Sequence, residues 1–283
     1  MRLDVKKTYK LFIGGKFPRS ESGRTYELLS AKGEFVANVC LASRKDARDA
    51  VVAARAAQPG WASATAYNRG QILYRIAEML EGRRDQFVEE IRTLTGATEK
   101  QANQEVDAAI DSWVWHAGWS DKVDSVAGSM NPVAGPYFNI STNQPTGVVA
   151  AFAPQGSSLV GLVNTIAPVI VTGNTIVVVS SEKLPLSAIT LTEVLATSDL
   201  PGGVVNVLTG KESEMAPWLA SHQDVNALDL EGTSDPVDLE IRGAETLKRV
   251  VKPGAFTRTG SKGSLQQILA FMEVKTVWHP KGH

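Results

Sequence analysis

Cys40 is the only cysteine among 283 residues. A cysteine nucleophile works as its thiolate, which needs an accessible, electropositive setting. Cys40 instead falls in Glu34-Phe35-Val36-Ala37-Asn38-Val39-Cys40, an alternating stretch that predicts a half-buried strand. It therefore reads as a small buried apolar side chain. His116, His222, His279 and His283 lack the close spacing of metal ligands, so no metal site is expected, and no serine-histidine-aspartate order is argued from them. The run from Arg242 to Gly263 sets Lys248, Arg249, Lys252, Arg258 and Lys262 against Glu245. With Phe256 as its one aromatic it lacks the stacking platforms of a nucleic-acid site and reads as a solvated connector. Trp113 recurs with Val106, Ala109 and Ile110 at helical spacing and reads as core.

The elements that must position such residues alternate between two periodicities. Ser43 three residues before Asp46 is a capping-box variant, and Ala47, Ala50, Val51, Ala54 and Ala57 then mark a helix that Pro59-Gly60 is expected to stop. Helical faces follow over 68–81, 84–95 and 101–119. Turn residues between Ser125 and Pro145 alternate with β-prone pieces and suggest an excursion from the main domain. Strands at Gly147 to Ala153, Thr175 to Val179, Val204 to Leu208 and Asn226 to Leu230 then alternate with helices over 158–171, 185–196 and from Thr209-Gly210 to His222. That repetition predicts an α/β fold with an open, doubly wound, mostly parallel Rossmann-like sheet. An N-terminal helical layer, the β-hairpin excursion and a C-terminal tail strand at 271–278 complete it. The boundaries read as a main domain over 1–240 with the hairpin at 125–145, a linker over 241–265 and the tail strand within 266–283.

Lys plus Arg number 29 against 30 for Asp plus Glu, a balance that leaves no electrostatic footprint for nucleic acid or an anionic membrane. The N-terminus MRLDVKKTYKLFIGG lacks an apolar signal core, and the longest apolar stretches are interrupted by Gly, Pro, Asn and Thr. With one cysteine excluding an intrachain disulfide framework, a cytoplasmic setting is expected.

The segment PTGVVAAFAPQGSSLVGLVNTIAPVIVTGNTIVVVSSEKLP, Pro145 to Pro185, resembles the cofactor-domain core of the aldehyde dehydrogenases. Leu11 to about Gly232 resembles that family almost continuously, and Phe271 to Trp278 resembles its tail strand. The departures fall on its chemistry. Where the family reads Pro-Trp-Asn-Phe, with the Asn stabilising an oxyanion, this chain has Pro154-Gln155-Gly156-Ser157. Where it reads Lys-Pro-Ser-Glu, with the Lys on the nucleotide, this chain has Val179-Ser180-Ser181-Glu182. The Phe-Thr-Gly-Ser turn becomes Leu230-Glu231-Gly232-Thr233, which sets a carboxylate near the expected phosphate position. The Glu-Leu-Gly-Gly-Lys stretch and the Gly-Gln-Cys nucleophile are missing, and 241–265 stands as a short linker replacing the catalytic domain that the family inserts there.

The resemblance thus implies no catalytic residue. Ser181, Glu182, Gly210, Gly232 and Thr233 remain as the positions of a weakened NAD(P) site, so the expected cofactor is none, or weakly held NAD(P). The chain looks especially like the non-catalytic second module of the two-module aldehyde dehydrogenases of family sixteen. That implies an inactive subunit joined to a full-length aldehyde dehydrogenase, or to itself, through 125–145 and 271–278. The alternatives are an NAD(P)-dependent oxidoreductase acting on aldehydes and a nucleotide-binding module without turnover.

Overall fold

The computed structural model describes residues 6–282; residues 1–5 of the N-terminal stretch and His283 lie outside the described residues. Two short strands, β1 (Thr8–Tyr9) and β2 (Thr25–Leu29), flank β3 (Phe35–Cys40) in a small sheet. A helical layer follows: α1 (Arg44–Ser63), α2 (Ala66–Glu81), α3 (Arg84–Thr95), α4 (Glu99–Trp119) and the short α5 (Val123–Ala127). The excursion is β4 (Ser129–Asn131) and β5 (Tyr137–Pro145). The chain then winds through β6 (Val148–Phe152), α6 (Val160–Ile170), β7 (Thr175–Val179), α7 (Leu186–Ala196), β8 (Val205–Leu208), α8 (Glu212–Ser221), β9 (Ala227–Asp229), α9 (Pro236–Ala244) and β10 (Arg249–Val251). A single turn of helix, α10 (Leu265–Leu269), leads to β11 (Met272–Pro280).

The five central strands run in the order β10-β9-β6-β7-β8, all parallel. Strands covered on both faces read as continuous apolar runs rather than alternating ones, and every residue of β6, β7 and β8 is buried. Their side chains divide by parity. Val148, Ala150, Phe152, Val177 and Val179 pack with the alanine stripe of α1 and with Met215 and Leu219 of α8. Val149, Ala151, Ile176 and Val178 join the larger core beneath α2, α4, α6 and α7.

Two sequence expectations change. The capping box at Ser43 and Asp46 starts α1, but Pro59-Gly60 lie inside that helix, which runs on to Ser63. An interior proline costs about 3 kcal/mol. Here Trp61 offsets it, being 2% exposed and donating from its indole Nε1 to the Ile170 carbonyl at 2.8 Å, which fixes the last turn onto α6.

The linker expected over 241–265 is instead largely built into the domain. Residues up to Ala244 continue α9, Arg249 to Val251 form the fifth parallel strand, and Arg258 and Lys248 are buried. Charge count misled the reading because Arg258 buries against the Asp229 carboxylate and the Asn164 carbonyl, and Lys248 Nζ donates to the Thr246 hydroxyl.

The expected tail strand forms, and one of its two edges pairs within its own chain. β11 runs antiparallel to β5 in a nine-residue register from Met272 opposite Pro145 to Pro280 opposite Tyr137. Its root is anchored: Phe271 is fully buried, and its carbonyl accepts from Asn174 Nδ2 at 2.7 Å and from the Thr146 amide at 3.2 Å. The resulting sheet, β11-β5-β4, leaves β11 as an edge strand.

Candidate functional site

Parallel register brings the turns that follow β6, β7, β8 and β9 to one end of the sheet. Strand order reverses between β6 and β9, and such a reversal at the carboxyl ends is where open parallel sheets take ligands. Ser181, Glu182, Gly210, Gly232 and Thr233 all lie on these turns, so the fold brings the five sequence-predicted positions to the same end.

Each is engaged within the chain. Ser181 Oγ donates to the Gln155 carbonyl at 3.1 Å and accepts from the Leu184 amide at 3.2 Å. The Glu182 amide donates to Gln155 Oε1 at 3.0 Å, and its carbonyl accepts from the Tyr26 hydroxyl at 3.0 Å. Gln155, which stands where the family has a Trp, thereby ties the β6 turn to the β7 turn. Gly210 sits at φ +124° with Leu41 Cδ1 2.8 Å from where a Cβ would be, so its role here is close packing. Gly232 approaches the backbone so closely that a Cβ would stand 1.9 Å from the Ala153 carbonyl oxygen, and its amide donates to the Phe152 carbonyl at 2.9 Å.

Carboxylates of the chain itself take up the remaining donors. Glu105 of α4 accepts at Oε1 from the Leu159 and Val160 amides at 2.9 and 3.3 Å and from the Ser157 hydroxyl at 3.0 Å. These are the first amides of α6, the kind of helix N-terminus that otherwise attracts an anion. Glu212, in the first turn of α8, accepts from the Thr233 and Ser234 hydroxyls at 2.6 and 2.8 Å, bridging the starts of α8 and α9. Glu231, expected to face a phosphate, turns aside and accepts at Oε2 from the Gly254 amide at 2.8 Å. Sequence reasoning missed Glu105, Glu212 and Gln155; each acts on a partner at least 21 residues away along the chain.

Cys40 ends β3 at 1% exposure, inside the smaller core cluster, while its carbonyl accepts from the Thr209 hydroxyl at 2.6 Å. The Gly156 position is open, with no atom within 4 Å of where a Cβ would be. A shallow cleft of about 460 Å³ survives beside the β7 turn, walled by Leu29, Leu94 and Leu184 and edged by Tyr26, Gln155 and Glu182. Burial pushes the Tyr26 phenol well above its ordinary range, with the Glu182 charge adding to the effect. Among the described residues no cluster of three potential metal ligands occurs, and no helix is long and apolar enough to cross a membrane.

The aldehyde dehydrogenase family model matches residues 17–252. A putative aldehyde dehydrogenase of Bacillus subtilis is 30% identical over 249 residues, 86% of this chain and 50% of that protein. Human retinal dehydrogenase 2 is 33% identical over 257 residues, 88% of this chain and 48% of that protein. The NAD+ complex of an aldehyde dehydrogenase from Bacillus cereus superposes with a TM-score of 0.81 at 27% identity, over 86% of this chain and 50% of its own. A betaine aldehyde dehydrogenase of Staphylococcus aureus, also solved with NAD+, shares the fold at a TM-score of 0.81 and 24% identity, over 86% and 49% of the two chains. The chain therefore spans about half the length of the relatives it matches. With the parallel sheet, its turns and most of the sequence matched in this way, the chain belongs to the aldehyde dehydrogenase family.

Proposed function

We propose that this chain is a non-catalytic subunit that assembles with a full-length aldehyde dehydrogenase through the sheet β11-β5-β4. The observation that carries the reading is the surface of that sheet. Met130, Ile140 and Val277 stand opposite one another across its three strands, and Phe138 extends the row; all four are exposed large apolar residues. The outer edge of β11 adds a long row of backbone donors and acceptors outside the ladder. A long exposed edge of this kind pairs with another chain unless it is blocked, and here Lys275 and the terminal Pro280 are its main blunting devices. The loss of an accessible thiol and of the oxyanion side chain supports a role other than turnover.

The test is co-purification from the native cells followed by sedimentation of the recovered complex, comparing wild type with Ile140→Lys/Val277→Lys. A stoichiometric full-length aldehyde dehydrogenase present with wild type and lost with the variant is the expected result. A wild-type chain that sediments alone as a monomer overturns it. Removing everything from Met272 onward is a poorer test, since Met272 is itself buried.

A second reading, nucleotide binding without turnover, is favoured by the NAD+ held in both structural neighbours. Against it stand the internal partners of Gly232, Thr233 and the α6 amides. On this reading any NAD(P) is held weakly, by Ser181, Glu182, Gly210, Gly232 and Thr233, and calorimetry with NAD and NADP separates the cases.

A further inference from the structure

A side chain from the far end of the domain reaches the crevice where strand order reverses. Asp229, the last residue of β9, is fully buried, and its Oδ2 accepts from Arg258 Nη2 at 2.6 Å. Arg258 is 4% exposed, and its Nη1 donates to the Asn164 carbonyl on α6 at 2.7 Å, so one guanidinium spans from the end of β9 to the helix that follows β6.

The rest of its segment is fastened around it. Asn164 Nδ2 donates to the carbonyls of Arg258 and Gly260 at 2.8 Å each, while its Oδ1 accepts from Ser112 of α4 at 2.6 Å. Gln267 Nε2 donates to the Asn164 carbonyl at 2.7 Å. Gly263 lies against the His116 imidazole so tightly that a Cβ would stand 2.8 Å from Nε2. At the near end the Gly254 amide is held by Glu231. Ser112, Asn164, His116 and Asp229 are all buried polar groups on the parallel domain or its helical layer. All four meet the segment or one another by hydrogen bond or ion pair.

We propose that residues 253–264 form an intramolecular plug, with Arg258 as the latch that closes the strand-reversal crevice against ligands. Replacing a buried ion pair by apolar side chains of similar size often costs no stability, whereas losing one partner leaves a charge uncompensated. A latch built this way holds firmly while paired and lets go when either charge is lost. The plug closes within a single chain, whether or not that chain assembles with another.

Hydrogen exchange followed by mass spectrometry on the full chain, with 8-anilinonaphthalene-1-sulfonate fluorescence as the crevice probe, compares wild type with Arg258→Met. In the variant, amides of 253–264 should exchange more than about tenfold faster and dye uptake should rise, while β6 and β7 keep their protection. A variant that protects 253–264 as wild type does and takes up no dye overturns the plug. Should Arg258→Met lose protection throughout, the folded wild-type chain is cut after the exposed Lys262. The cut chain should loosen over 253–262 and bind dye; unchanged protection without dye uptake overturns the proposal.

Discussion

The carboxyl ends of the parallel strands and the antiparallel sheet of β4, β5 and β11 treat their polar backbone in opposite ways. At the first, amides and hydroxyls that a ligand would use already meet Glu105, Glu212, Glu231, Gln155 or a backbone carbonyl. At the second, a nine-residue strand is paired along one side only, beside an apolar row. Buried polar groups must find partners, and a ligand at this end would have to compete with the internal partners they already have. The difference sets the proposed assembly at the sheet edge against the nucleotide reading at the cleft, and each end can be broken separately.

Breaking the closed end at its most buried point gives the largest effect. Asp229→Ala leaves the Arg258 guanidinium without its carboxylate, and removing one member of a buried pair costs about 3–5 kcal/mol. Release of the 253–264 segment lets the cation reach water, so the expected loss lies at the lower end of that range. Urea denaturation monitored by tryptophan fluorescence measures it, and a loss below about 1 kcal/mol would mean that the pair is not a latch.

His116 sharpens the same region through pH. Burial lowers its pKa from 6.5 to about 4, although Nδ1 donates to the Ser112 carbonyl at 2.8 Å. Its folded-state pKa therefore lies below its unfolded value, the unfolded chain binds the extra proton between those limits, and stability falls as pH drops from 6.5 toward 4. At about 1.4 kcal/mol per pH unit the whole contribution is about 3 kcal/mol at the acid end, with nothing lost above pH 7. His116→Gln should flatten this share of the acid limb. Carboxylates titrate nearby, so the difference between the two stability curves is the quantity to read, and identical acid limbs would contradict the buried neutral imidazole.

Glu212 tests whether the internal contacts weaken dinucleotide binding. Its partners are the hydroxyls of Thr233 and Ser234, and the group is partly exposed, so Glu212→Ala should cost about 1 kcal/mol. It also removes a negative charge from the start of α9. Calorimetry should then detect tighter NAD binding than in wild type; unchanged or weaker binding would place the obstacle elsewhere in the crevice.

How far the sequence carried depends on the range of the interactions. The parallel strands were legible because Val148 to Phe152 and Ile176 to Val179 are continuous apolar runs, and the start of α1 because Ser43 and Asp46 are three residues apart. Both signals are local. The Pro59-Gly60 stop failed because Trp61 answers to Ile170, 109 residues on. The connector failed because Arg258 answers to Asp229 and Asn164, across 29 and 94 residues. At the candidate site the turns were legible from glycines that follow apolar runs, but the carboxylates that fill them were not. Nothing near Glu105 in sequence distinguishes it from a solvated helix residue; only the meeting of α4 with α6 does.

The smallest expected effect bears on whether the closed end can do chemistry. Gly156 has open space where a Cβ would be, and its φ lies outside the left-handed region, so Gly156→Asn should fold with stability within about 0.5 kcal/mol of wild type. The variant restores the side-chain amide that family members aim at an oxyanion. Such a donor acts only on charge that a nucleophile has generated, and the chain's single thiol is buried in the core at Cys40. NADH formation from an aliphatic aldehyde should therefore stay at background in Gly156→Asn, as in wild type. Turnover gained by that one substitution would mean that a nucleophile other than Cys40 still reaches this end of the sheet, and the contrast between a closed cleft and an open edge would fail.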